Sequence, residues 1–519
     1  MLGQRAHYFI YLAAIIILVI GLSTSEFLMS ISSITLAVNW VLEGKFKVKF
    51  QKLKADKLAL LLTFLFFIYV FWMAGTSDIN EGLKELRIRL PLLLFPIVLG
   101  SIPRFKEKEL ILIARLFILA TLVSTLISVG VYLEWIPTSL DITDVRNISI
   151  FISHIRLSLL ICVALVISIY FILVEKSNRV LIFLGILWFI GFLYLIQSAT
   201  GFVILFILVG FLGVYSLKNS GKTWLKYVGF ITSLFIVFGG VMYVWKAKKD
   251  YFRVSEKVCN SPLSGTASGD FYFHDMENTQ VENNNYVWRN IHYPGLRKAW
   301  NERSNIDVKG TDKKGQPVIG TLIRYLTSKG LCKDRDGVES LTNDEIAEIE
   351  AGNPSSIELK FGINKRLNEI FWEIDSYING QNPSGNSVIM RLEFWKTAKA
   401  LISDNIWFGV GTGDGKLEMQ IMYDKTNSVL DQNWRLGSHN EFLSTWVKTG
   451  LIGFIIFVIA LFSPILRKDN RNFIYLSFFL IAILSFLAEN TLETQPGVTF
   501  FGFFNCWLIF HGFKTSKEN

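Results

Sequence analysis

The sequence predicts an all-α polytopic membrane protein of about twelve transmembrane helices with one long, partly helical periplasmic loop. Three observations point there. Hydrophobic residues make up 51% of the 519, with 43 Phe and 14 Trp, and the mean hydropathy is +0.40. Apolar runs long enough to cross ~30 Å of hydrocarbon recur along the chain. The basic residues between those runs are distributed unevenly, as inner and outer loops require.

Candidate spans lie near 8–24, 26–42, 58–75, 87–100, 109–133, 149–174, 180–196, 201–217, 226–245, 445–465, 472–488 and 498–513. With no water to satisfy backbone groups, each must be a helix. The fourth is the shortest and contains Arg87 and Arg89. With the N-terminus inside, twenty Lys and Arg fall on inner segments, six of them between Lys45 and Lys57. Short outer loops hold only Lys84 and Arg146, or four if Arg87 and Arg89 count as loop. That places both termini in the cytoplasm. The first apolar run has no convincing small-residue cleavage site and reads as a retained helix.

The formal charge of +9 is therefore mostly a topology signal. Nucleic acid as a partner would call for basic residues interleaved with aromatics on a soluble domain.

Residues 1–245 form the first nine helices and 439–519 the last three with a cytoplasmic tail. Between them, 246–438 is polar, lacks a span, and lies outside. Cys259 and Cys332 fall in this loop, where an oxidising compartment allows a disulfide; Cys162 and Cys506 fall within helices. Thr342-Asn343-Asp344-Glu345 has capping-box spacing. From Ser387 an amphipathic helix begins, with Val388, Leu392, Trp395 and Ile402 on its apolar side. The glycines of Phe408-Gly409-Val410-Gly411-Thr412-Gly413-Asp414-Gly415 lack the strand and spacing of a nucleotide loop. They read as a tight turn between helices on the membrane. Residues 260–320 are the most loop-like.

Chemistry concentrates at Gly437-Ser438-His439-Asn440-Glu441-Phe442-Leu443, at the mouth of a membrane helix. Ser438 as a cap with His439 at the solvated helix end is one reading. A general base is the other, since an unperturbed histidine pKa of about 6.5 suits proton abstraction near neutrality. Glu441 would orient the imidazole or hold a substrate hydroxyl, although residues two apart on a helix do not face one another. Arg391, one turn before Trp395, is either a solvated surface arginine or a fork for a diphosphate. Arg87 and Arg89, and His154 and Arg156, lie near the outer ends of apolar runs. Ionisable groups at such depth usually face a cavity or a partner.

Three stretches carry a resemblance to a known family. They are Arg391-Leu392-Glu393-Phe394-Trp395, then Phe408 to Gly413, then Ser438 to Leu443 through Lys448-Thr449-Gly450-Leu451-Ile452-Gly453. In order and spacing they resemble the O-antigen ligase and polymerase superfamily, specifically over 386–465 and more loosely over 150–217. The resemblance implies an integral inner-membrane glycosyltransferase of lipopolysaccharide biosynthesis, needing neither metal nor other cofactor. The donor would be a glycan on undecaprenyl diphosphate, and the acceptor lipid A-core for a ligase or another repeat unit for a polymerase. His439 would activate the acceptor hydroxyl and Arg391 engage the diphosphate, with Asn440, Trp395 and His154 in support. One departure is Gln197-Ser198-Ala199-Thr200-Gly201, with alanine where the family often has arginine; Arg89 or Arg156 would have to substitute. A lipid-linked sugar transporter and a chemically inert scaffold are the rival readings. The first lacks Gly/Pro-broken spans in matching halves; the second leaves His439 and Arg156 unexplained.

Overall fold

The computed structural model describes residues 3–138, 145–174, 178–219, 223–256, 258–356 and 363–513, and these are overwhelmingly helical. The chain divides into two compact units, Met1–Val237 with Arg391–Asn519, and Phe238–Met390.

The first unit is a bundle of apolar helices. Among the described residues six helices are long and apolar enough to cross a membrane: Gln4–Thr24, Lys57–Gly75, Glu107–Tyr132, His154–Leu173, Lys226–Tyr251 and Glu441–Leu466. A seventh arises if Glu26–Glu43 and Phe46–Ala55, bent by 114°, count as one span. Arg179–Leu195, Ala199–Tyr215 and Phe473–Ala488 are apolar but shorter. The chain is thus an all-α membrane protein; where about twelve spans were expected, the described residues give six or seven of full length and three shorter apolar helices.

The expected span at 87–100 is the clearest difference. It is divided between Ile79–Arg89 and Pro91–Ser101. Pro91 has no N–H to continue the first helix, and eleven residues at 1.5 Å each cover only about 16 Å. At the centre of the bundle lies Gln495–Phe510, buried at every residue from Gly497 to Leu508. Its Phe503 and Trp507 rings stack 5.7 Å apart, and Phe504 meets Phe117 edge-on at 5.0 Å.

Glu441–Leu466 is broken in its first half. Gly450 has φ 60°, and a Cβ there would come within 2.3 Å of the Trp407 backbone. The carbonyls freed by the break are taken up by the glycine-rich segment. Val410 N–H donates to the Val447 carbonyl (2.9 Å) and Gly411 N–H to that of Lys448 (3.0 Å), while Leu451 N–H donates to the Ile406 carbonyl (2.7 Å). Irregular backbone within a membrane fold persists where protein satisfies it. The glycines are therefore more than a turn between surface helices: they let two backbones touch. Asp414 then accepts from the N–H groups of Ser77 (2.7 Å) and Asp78 (2.8 Å).

On the helix Met390–Asp404, the buried side carries Phe394, Ala398, Leu401 and, as expected, Ile402. Leu392, expected among them, is 46% exposed. The burial stripe is rotated because Arg391 and Phe394 turn inward, as described below.

The second unit has its own core, centred on Trp300, Leu322, Leu326 and Ile349. A hairpin pairs Val281–Glu282 with Asn285–Tyr286. Its two turn residues, Asn283 and Asn284, both have positive φ (47° and 65°), the backbone of a two-residue hairpin turn that asparagine tolerates. With the helix Tyr293–Arg303, this gives regular structure to a region expected to be loop. The capping box at Thr342 and Glu345 is formed. Cys259 and Cys332 are joined in a disulfide across 73 residues.

Closing a loop of that length is worth about 4 kcal/mol by chain entropy. The Cys259→Ser/Cys332→Ser protein is expected to lose about 2–4 kcal/mol in the Phe238–Met390 unit, read as earlier thermal unfolding of the detergent-solubilised chain. Dithiothreitol should produce the same shift in the wild type and none in the variant.

Candidate functional site

Two turns in the first unit create the site. The first precedes Glu441–Leu466. Asn440, not Ser438, caps that helix, its side-chain oxygen accepting from Leu443 N–H at 3.1 Å. His439 just before it has φ 45°, the left-handed region that a non-glycine residue enters at a cost of about 1–2 kcal/mol. The second turn follows Phe473–Ala488. Glu489 is extended, Thr491–Glu493 form one 3-10 turn, and Thr494 caps the central helix.

Glu489 joins them. Its Oε2 lies 3.0 Å from His439 Nδ1, and its Oε1 accepts from Arg391 Nη2 at 2.6 Å. Arg391 Nε donates to the Ala488 carbonyl at 3.2 Å. The Phe394 ring stacks on the imidazole, 5.4 Å between centroids at 25°. Arg156 comes from His154–Val174. It donates to Thr491 Oγ1 (3.1 Å), Thr494 Oγ1 (3.3 Å) and the Asn490 carbonyl (3.5 Å), and its charge acts on Glu489. Burial by itself would raise the Glu489 carboxyl. The hydrogen bond with His439 and the charges of Arg391 and Arg156 more than offset this and hold it below the usual carboxylate range. An ionised Glu489 accepts the Nδ1 proton, which leaves Nε2 as the basic nitrogen. The histidine side chain keeps 31% of its surface exposed.

Behind this cluster lies a buried ion network. Lys448 Nζ donates to Glu85 Oε2 (2.8 Å) and Glu493 Oε1 (2.6 Å). Arg89 is fully buried; it pairs with Glu85 and lies 3.7 Å from Glu493 and 4.2 Å from the Tyr69 ring centre. Glu441 is also fully buried. Its Oε2 accepts from Leu492 N–H at 2.8 Å, and among the described residues its Oε1 has no hydrogen-bond partner. The carboxylate touching the histidine is therefore that of Glu489 and not, as expected, that of Glu441.

His439, Arg391 and Arg156 are thus brought together, with Asn440 beneath them. Arg89 is locked into the network, Arg87 is exposed, and His154 and Trp395 are half-buried. Ala199 opens Ala199–Asn219, and a Cβ on Gly201 would lie 3.0 Å from Ser158 Cβ. The segment that begins at Ala199 therefore packs, at Gly201, on the helix that supplies Arg156.

Sequence reasoning missed Glu489, Asn490 and Glu493. A signal was present: Glu489 is the first residue after the apolar run 472–488, and a carboxylate at a membrane helix end asks for a partner. Topology counting uses only Lys and Arg, so it passed over these residues.

Residues 355–458 match the family described as O-Antigen ligase, which supports membership of an O-antigen ligase-like superfamily. An uncharacterized protein of Haemophilus influenzae is 36% identical over 153 residues, 29% of this chain and 36% of that protein. The chain thus matches about a third of that relative's length. No solved structure matches.

Proposed function

We propose that this multi-pass bacterial membrane protein is an O-antigen ligase. It would transfer a glycan from undecaprenyl diphosphate to lipid A-core on the periplasmic face of the inner membrane. The observation that carries the reading is the His439–Glu489 pair with Arg391 on the same carboxylate; of these, His439 and Arg391 lie inside the region that matches the family. The Cys259–Cys332 disulfide favours an oxidising compartment for the second unit, in keeping with a periplasmic long loop and cytoplasmic termini.

In the reaction, His439 Nε2 takes the proton of the acceptor hydroxyl as its oxygen bonds to the anomeric carbon. The bond from that carbon to the diphosphate oxygen breaks, and the diphosphate leaves with the electron pair. Arg391 and Arg156 hold the diphosphate as charge develops on it. Glu489 keeps the imidazole in the tautomer that exposes Nε2 and stabilises the imidazolium that forms. One displacement inverts the carbon. Arg156 would stand in for the missing arginine at Ala199, since Arg89 is tied to Glu85.

A repeat-unit polymerase is the alternative. It uses the same donor chemistry with a glycan acceptor, and the site described fits both. A transporter of lipid-linked sugars would leave the donor bond intact.

Three outcomes test this. In membranes supplied with lipid-linked donor, His439→Ala should lower transfer by about 10²–10⁴-fold; a rate near wild type would remove the general base. In cells lacking the protein, capped surface glycolipid should vanish while polymer accumulates on undecaprenyl diphosphate. Core bearing a single repeat unit would mean polymerase, and an unchanged ladder would reject both. Because the Glu489 carboxyl is depressed in the fold, its stabilisation is present above the ordinary glutamate value of about 4.3 and lost as pH falls through the depressed one. Glu489→Gln should therefore unfold below wild type at pH 7, with the gap closing under acid.

A further inference from the structure

The left-handed backbone of His439 needs something to hold it, and the cost falls on the residue that the proposed chemistry uses. Ser438 bridges His439 locally, and Asn490 meets that need from the opposite turn. Asn490 Oδ1 accepts from Asn440 N–H at 2.8 Å, just after His439; just before it, the Ser438 hydroxyl lies 2.9 Å from the Asn440 carbonyl and 3.3 Å from the same Oδ1. Asn490 Nδ2 donates to Glu493 Oε2 at 2.8 Å. A carboxylate only accepts hydrogen bonds, so this contact fixes which way the amide faces and leaves the oxygen for Asn440. Glu493 is itself fixed by Lys448 at 2.6 Å and by the Ser444 hydroxyl. Asn490 also directly follows Glu489. Both halves of the His439–Glu489 pair therefore hang from one amide, which is registered by a buried ion pair.

We infer that Asn490 is a positioning residue, which, oriented by Glu493 and Lys448, sets the distance between His439 and Glu489. The inference rests on the proposed transfer reaction. Removing the amide lets His439 relax from φ 45° and shifts the imidazole against its carboxylate. Misplacement of about 1 Å at a reacting group costs on the order of 100-fold in rate. Donor binding should hardly change, because the arginines remain.

The test compares the full-length protein with Asn490→Ala, Asn490→Asp and Asn490→Asp/Glu493→Gln in membranes, with His439→Ala alongside. For each, kcat and the KM for lipid-linked donor are measured, with the thermal midpoint in detergent. Asn490→Ala is expected to lower kcat about 10–100-fold with KM within about twofold. Asn490→Asp keeps the acceptor for Asn440 but sets two carboxylates against each other, and should fall similarly. The double variant restores an N–H···O contact with the donor now on residue 493, and should regain about tenfold over Asn490→Asp. Wild-type kcat in Asn490→Ala, with His439→Ala inactive, overturns the positioning role alone. Activity in His439→Ala overturns the reaction beneath it. If Asn490→Ala does not accumulate, the aspartate pair decides: equal kcat in the single and double variants overturns the inference.

Discussion

The Glu489 carboxylate is the contact on which the site depends. It is largely buried at the end of a membrane helix, where an uncompensated charge would cost several kcal/mol. The same group that needs neutralising draws in His439 from one turn, Arg391 from Met390–Asp404 and the charge of Arg156 from His154–Val174. Three remote segments of chain converge because one carboxylate requires cations, and the balance of two arginines against one acid leaves the cluster electropositive. A surface of that sign, with a basic imidazole nitrogen, suits a diphosphate leaving group next to a hydroxyl that must lose its proton.

A second layer supports the first. Glu85, Arg89, Lys448, Glu493 and Glu441 are packed where hydrophobic side chains would be expected, and ion pairs there cost desolvation that good geometry must offset. Such a network contributes little net stability, but its directional contacts define where the 489–493 turn sits. Leu492 is held by Glu441, Glu493 by Lys448, and Asn490 by both turns. The break at Gly450 belongs to the same device. It interrupts the helix just after Lys448, and the segment 406–411 takes over the exposed backbone groups.

The second unit shows a different economy of stabilisation. Its described residues are mostly helical, with a hairpin, a core around Trp300 and a disulfide as covalent tie. A cross-link that closes so long a stretch of chain adds to what that core supplies.

How much was legible in the sequence follows from the range of each interaction. Hydropathy and Lys/Arg asymmetry are local properties, so the membrane class was plain. The capping box at Thr342 is a four-residue signal and was read correctly; His439 and Arg156 stood out as polar groups beside apolar runs, and Arg391 as a cation on an amphipathic loop helix. Span length at 87–100 was misjudged because hydropathy averages over Pro91, which ends a helix without lowering the average. What the sequence alone determined was the class of protein and the basic half of the candidate site. The tertiary structure decided the acidic half. Residues 439 and 489 are fifty apart, and a contact between two turns leaves no periodicity in either. Only the packing of the helices around them reveals that Glu489, and not the neighbouring Glu441, faces the histidine.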